Sequence, residues 1–348
     1  MSKAEICFNT FFIVVCTQFC SVTVAQFKVK ANAETGYYTA SGKSVINRND
    51  FQNCIDSQLS YAFKSENRSA ELKLRVRPEF YCINNPLKTI KFGADGSYNQ
   101  KEKMFNWGFE LNRQLYNFNG QDMDLAYDSF TILADGSLFL LENFPISALT
   151  GYGYQKINNS VTQDLEYYLL DLSSSLPLST YTKFGYGIYL ENFSITDDFS
   201  ITPGVQSNYL DENKGWRFGP QVGFYYLKDA VLDVDYRFMV HNSLLTDNFS
   251  YEQWVRLVAG KLITSRWSAF LLADFYFRNF QLKTNGQNNL SLLYNSLNID
   301  NRIYIKTGYE LSDHFEIYLR TGYFKENLVT NKFSYSGWNT LLGVEVGN

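Results

Sequence analysis

Apolar and polar positions alternate with a period of two along most of the chain, the pattern of strands with one greasy and one wet face. From Trp216 to Tyr226 the even positions are Trp216, Phe218, Pro220, Val222, Phe224 and Tyr226, and the odd ones Arg217, Gly219, Gln221, Gly223 and Tyr225. Within 70–80, Leu72, Leu74, Val76 and Phe80 oppose Glu71, Lys73, Arg75, Arg77 and Glu79. Within 104–115, Phe105, Trp107, Phe109 and Leu111 oppose Asn106, Glu110, Asn112 and Gln114. Within 232–240, Leu232, Val234, Tyr236, Phe238 and Val240 oppose Asp233, Asp235, Arg237 and Met239. Further runs occur near 183–190, 266–277, 301–309, 315–323 and 338–346.

Short turns alternate with longer loops. Lys228-Asp229-Ala230, Thr264-Ser265-Arg266 and Leu311-Ser312-Asp313 read as tight turns, with longer connections at 242–248, 282–299 (Asn-rich) and 325–335. Outer-membrane barrels are strung this way. The spacing predicts 18 strands if Ala134-Asp135-Gly136 is a turn, and 16 if ambiguous pieces merge. No linker or low-complexity block interrupts 26–348, which reads as one all-β domain.

A soluble sandwich also alternates, so the arrangement of aromatics decides. Trp216 stands at one end of a greasy face and Phe224 and Tyr226 at the other. Trp267 faces Phe275 and Phe277 across Ala269, Leu271 and Ala273. Aromatics at both ends of a strand form the girdles of a bilayer-facing wall. The chain holds 26 Tyr and 29 Phe but only 6 Pro. The fold expected is a transmembrane antiparallel β-barrel of about 16 to 18 strands.

Composition narrows the setting. Residues 1–25 read as an export signal: Lys3, an apolar stretch from Ile6 to Val24, and a Thr23-Val24-Ala25 cleavage pattern before Gln26. No later segment has 18 consecutive apolar residues, so no transmembrane helix is expected after it. The net charge of -4 gives no basic footprint for nucleic acid. With two histidines and no Cys/His cluster, neither a metal nor a cofactor is expected.

Taken together, the chain resembles the outer-membrane β-barrel proteins of Gram-negative bacteria, the porin-like class. The resemblance is architectural and spans the chain after the signal. It implies a bacterial outer-membrane location, with outer-membrane lipid, the barrel-assembly machinery and small polar solutes as partners. One departure touches assembly. Such barrels commonly end on an aromatic residue, whereas this sequence ends Gly343-Val344-Glu345-Val346-Gly347-Asn348.

Two sets of residues carry candidate chemistry. His241 and Ser243, two apart and followed by Trp254 and Arg256, are similar to the serine–histidine arrangement of outer-membrane phospholipase A and the lipid A deacylases. In such enzymes the imidazole takes the serine proton and a polar neighbour orients the ring. The orienting position falls on Val255, with Glu252 and Gln253 two or three positions away. Parity also puts His241 on the lumen face with Asp233, Asp235 and Arg237. It therefore reads as a polar strand-end residue facing water, with a barrel-embedded lipid hydrolase as the alternative. His314 reads as a solvated turn residue.

The second set is the charged lumen: Glu71, Lys73, Arg75, Arg77 and Glu79; Asp122, Asp124 and Asp128 as an acidic strip; and Arg217, Asp233, Asp235 and Arg237. Mixed charges in a hydrated barrel select solutes by charge and size, and a barrel this wide ordinarily leaves an aqueous space. Cys54 and Cys82 flank a turn, but the strand faces pair at odd residue sums, so a disulfide between them needs a bulge near Pro78. The reading is a passive channel for small polar solutes. The alternatives are the hydrolase and a closed structural or surface-binding barrel with loop 282–299 as its contact.

Overall fold

The computed structural model describes residues 25–42, 48–64, 68–81, 87–100, 105–118, 124–141, 144–158, 162–198, 212–247, 250–283, 301–328 and 333–347. Residues 1–24 of the expected export signal, Cys82, Asp122 and 284–299 of the expected contact loop lie outside the described residues. Sixteen strands follow in chain order. They are β1 (Ala25–Gly42), β2 (Arg48–Lys64), β3 (Arg68–Tyr81), β4 (Leu87–Gln100), β5 (Phe105–Phe118), β6 (Asp124–Leu141), β7 (Phe144–Asn158), β8 (Thr162–Ser179), β9 (Thr182–Asp198), β10 (Glu212–Leu227), β11 (Val231–Ser243), β12 (Ser250–Leu262), β13 (Trp267–Asn279), β14 (Asn301–Ser312), β15 (Phe315–Leu328) and β16 (Phe333–Gly347).

Each strand pairs antiparallel with its sequence neighbours, and β1 pairs with β16 from Lys30↔Gly347 to Gly42↔Tyr335. The sheet is closed, so no row of backbone donors and acceptors is left at an edge. In a hydrocarbon environment only helices and closed barrels meet that demand.

The strand count resolves to 16. Ala134-Asp135-Gly136 is not a turn but the middle of β6, where Ala134 pairs with Trp107 on β5 and with Thr150 on β7. Asp-Gly favours a turn locally. Two flanking strands that satisfy the backbone on both sides override that preference. Of the three tight turns expected further on, 228–230 and 264–266 hold, while 311–313 shifts because Leu311 and Ser312 close β14. Lys228 N donates to Ala230 O at 3.2 Å, and Thr264 Oγ1 accepts from Arg266 N and Trp267 N at 3.3 and 3.1 Å. The exposed His314 sits with Asp313 in the two-residue turn between β14 and β15.

The pleat sorts side chains as the alternation foretold. Trp216, Phe218, Ile188, Leu72, Leu74, Ile305, Leu319, Leu342 and Trp338 all point outward and are exposed. An exposed apolar surface of this extent does not suit water. It is a lipid-facing belt, with Trp216 and Trp338 near the long-loop end and Trp107 and Trp267 near the tight-turn end. Ile305 lies between the girdles, opposite Leu271. Ile305→Arg is expected to cost about 2–4 kcal/mol of folding stability, the charge of an outward cation near mid-bilayer. Urea unfolding in lipid vesicles reads this directly, and unchanged stability would place Ile305 outside the hydrocarbon.

Cys54 is buried on the inward face of β2 and pairs in register with Glu79, so the odd-sum parity holds without a bulge at Pro78.

Candidate functional site

Antiparallel pairing arranges the inward side chains into rungs that run around the wall. Across β8 to β13 one rung reads Ser173, Gly187, Gln221, Arg237, Trp254 and Tyr276. The rung toward the tight turns reads Ser175, Gly185, Gly223, Asp235, Arg256 and Asp274. Toward the long loops follow Asp171, Tyr189, Gly219, Met239, Glu252 and Arg278, then Leu169, Glu191, Arg217, His241 and Ser250. Lumen chemistry therefore changes from rung to rung along the pore axis.

The two rungs nearest the long loops are dry. Glu252 is fully buried and accepts from His241 Nδ1 at 2.5 Å and from the Tyr276 hydroxyl. Arg217 Nη1 lies 3.5 Å from Glu252, its Nε lies 3.8 Å from Glu191, and its Nη2 donates to Met239 Sδ at 3.3 Å. The Tyr189 hydroxyl donates to Glu191. Phe193 and Phe280 flank the His241 ring at 5.2 and 4.5 Å. Two carboxylates thus face one guanidinium and one imidazole, the pairing a buried charge requires.

The cover on this network comes from two chain segments outside the strands. Leu245 is fully buried against Leu165, Tyr167, Phe193 and Ile195 on the inner faces of β8 and β9. Thr246 forms an isolated antiparallel bridge with Leu282, Asp247 N donates to Gln281 O at 3.0 Å, and Lys283 Nζ donates to Ser243 O at 2.7 Å. Residues 244–247 and 280–283 therefore fold inward and line the lumen instead of standing above it.

This corrects the reading of His241 and Ser243 as water-facing strand-end residues. They face the lumen, as parity required, but the inward fold buries both. Ser243 Oγ is engaged by Thr246 Oγ1 at 2.8 Å and accepts from the amides of Leu245 and Thr246 at 3.2 and 3.1 Å. The ring of His241 is oriented by Glu252, not by the residue at 255. Both side chains point away from lipid, and the Ser243 hydroxyl holds the inward segment in place. The hydrolase arrangement gains nothing from this geometry.

The opposite wall, β14 to β4, is wet around Arg75 and Asp95 and buried around Glu34. Arg75 pairs with Asp56, Arg77 lies 3.9 Å from Glu34 and 3.8 Å from Asp56, and Arg320 reaches Glu34 at 2.8 Å. The Tyr318 hydroxyl donates to Glu34 and Asn32, both at 2.7 Å. Lys306 pairs with Glu316 at 2.8 Å, and Lys73 lies 3.2 Å from Glu71 and 3.7 Å from Asp95. The side chains of Arg75 and Asp95 keep 50% and 49% of their surface exposed, against 4% and 0% for Arg217 and Glu252 across the barrel.

Of the residues singled out in the sequence, Glu71, Lys73, Arg75, Arg77, Arg217, Asp233, Asp235 and Arg237 share the inward face. Glu79 stands in β3 opposite Cys54, and Asp124 opens β6 opposite Asn117. Asp128 corrects the acidic strip. It points outward near the long-loop end, 3.4 Å from Arg113. The register makes Asn112↔Ser129 the inward pair there and Arg113↔Asp128 the outward one. The sequence carried that signal, because Asp128 shares its parity with the outward Phe130 and Ile132. Asp171, Glu191, Gln221 and Asp274 were not singled out, and Glu252 entered only as a neighbour of the orienting position. Each has lumen parity on its own strand, but nothing local marks it as a partner of residues several strands away.

No family model matches the sequence, and no curated protein matches it. Among solved structures the chain is similar to Pseudomonas putida OprB (TM-score 0.45, 9% identity, 93% of this chain and 94% of that one). It is also similar to CdiB from Acinetobacter baumannii (0.49, 8%, 92% and 60%) and to the siderophore receptor PirA from Pseudomonas aeruginosa (0.40, 6%, 94% and 81%). Independently of those likenesses, a closed wall of 16 antiparallel strands, an apolar belt with aromatic girdles outside and a charged interior make this chain a β-barrel of the bacterial outer membrane.

Proposed function

We propose that the barrel is an outer-membrane channel for small polar solutes, which diffuse through a hydrated lumen along the β14–β4 wall. One observation carries this reading: Arg75 and Asp95 on that wall keep about half of their side-chain surface exposed inside a closed barrel. A plugged interior buries its charges in pairs, as Glu191, Arg217 and Glu252 are buried here. Charges that keep their solvent face an aqueous space. The solute path is asymmetric, with a wet wall of alternating Arg, Lys, Asp and Glu and a dry wall that narrows the loop end.

Planar-bilayer recording of the purified protein tests the channel. Discrete conductance steps are expected, and Arg75→Glu is expected to shift the reversal potential toward cation preference. That substitution reverses one lumen charge beside Asp56, so cations are enriched and anions repelled on the wet wall. A folded barrel that passes no ions overturns the channel.

A further inference from the structure

Between the dry network and the tight turns, the β8–β12 wall is hollowed. Serines on β8 and glycines at 185 and 223 leave a cavity of about 400 Å³ in the inward face. That lies in the range of about 300–1,000 Å³ usual for small-molecule sites. Gln221 stands at its centre with both ends of its amide committed. Nε2 donates to Asp171, while Oε1 accepts from Arg237 Nε at 3.0 Å and Nη2 at 2.7 Å. Arg237 lies 3.3 Å from Asp171, and its guanidinium packs 3.9 Å above the Tyr189 ring and 5.4 Å from the Trp254 ring. Trp254 is itself held, its Nε1 donating to Asp274 Oδ1 at 2.6 Å.

Arg237 is paired with Asp171 within the wall, and Asp235 stands in register opposite Arg256 on β12. The one cation of the lining, Arg237, is therefore already engaged, and no single unpaired cation stands in the hollow to recruit an anion. What faces the hollow is a dense set of fixed donors and acceptors beside a flat aromatic ring. Neutral polyhydroxylated solutes match that surface, with hydroxyls that both donate and accept and C–H faces that pack on a ring. We propose that this hollow is a binding subsite for neutral sugars on their way through the lumen, an inference that rests on the channel reading and names its solute class.

The test is ion current through the protein in a planar bilayer as glucose or sucrose is titrated, with gluconate and glucosamine as charged comparators. The neutral sugars are expected to reduce the current saturably. Gln221→Ala, which frees Arg237 and Asp171, is expected to weaken that effect about tenfold, the scale of one charge-assisted hydrogen bond. Gly185→Gln is expected to abolish it. A Cβ at Gly185 meets nothing closer than 3.8 Å, so the new side chain fills the hollow without straining the wall. Heat-modifiable migration on gels confirms that this variant folds. A fall in current that only tracks solution viscosity overturns the subsite and leaves the channel standing, and saturable block by gluconate or glucosamine alone overturns the neutral class. A silent barrel overturns the channel instead. Tryptophan fluorescence in detergent then decides the subsite: a saturable sugar response lost in Gly185→Gln upholds it, and no response overturns it.

Discussion

Glu252→Ala is expected to destabilise the folded barrel by about 3–5 kcal/mol, the cost of stripping the partner from a buried charge. The reason is geometric. Glu252 is fully buried, accepts from His241 Nδ1 and the Tyr276 hydroxyl, and lies 3.5 Å from Arg217. Alanine takes one of its two carboxylates from the Arg217 guanidinium and removes the acceptor of His241 Nδ1 and of the Tyr276 hydroxyl. Glu252→Gln keeps an acceptor but not the charge, so its loss should be smaller. The measurement is urea unfolding of the refolded protein in lipid vesicles, followed by tryptophan fluorescence. A Glu252→Ala midpoint indistinguishable from wild type would mean that water reaches this network and that the dry wall is wrongly described. The His241→Ala result should fall between the two, since removing the imidazole leaves Arg217 and Glu252 still paired.

The second large effect concerns the inward segment. Leu245 is its apolar anchor, fully buried between Leu165, Tyr167, Phe193 and Ile195. Removing a buried leucine costs about 2–5 kcal/mol, and an aspartate there adds an unpaired buried charge. The hydrogen bonds that remain are worth about 1 kcal/mol each net, since water replaces them on release. Leu245→Asp is therefore expected to detach residues 244–247 from the β8–β9 wall. Two readouts follow: larger conductance steps, because the loop end widens, and new protease cleavage between Leu244 and Asp247 in detergent. Leu244→Asp is the control, since Leu244 occupies the same turn but is 50% exposed. Equal conductance and equal protection for both variants would show that Leu245 does not hold the segment down. The proteolysis readout stands even for a barrel that passes no current.

Much of the architecture was legible because a barrel wall is locally encoded. A strand with lipid on one side and water on the other must alternate, and each strand writes that alternation in its own residues, as Trp216–Tyr226 and Leu72–Phe80 do. The same parity correctly sent Arg75, Arg237 and His241 inward. It failed where composition was read ahead of parity, at Asp128. It failed also where a dipeptide preference was read ahead of pairing, at Asp135-Gly136, whose backbone is satisfied by β5 and β7 together.

The sequence by itself determined the strand class, the inward and outward faces, the aromatic girdles and the positions of the tight turns, because each depends on residues within one strand or one turn. Only the tertiary structure decided that the barrel closes at 16, that Glu252 orients His241, that Leu245 lies against the inner wall, and that one side of the lumen is dry while the other is wet. Those features depend on which rungs the registers align across strands far apart in the chain. A one-residue change of register would exchange every inward partner. Alternation specifies a face, but a partner is specified only by closure.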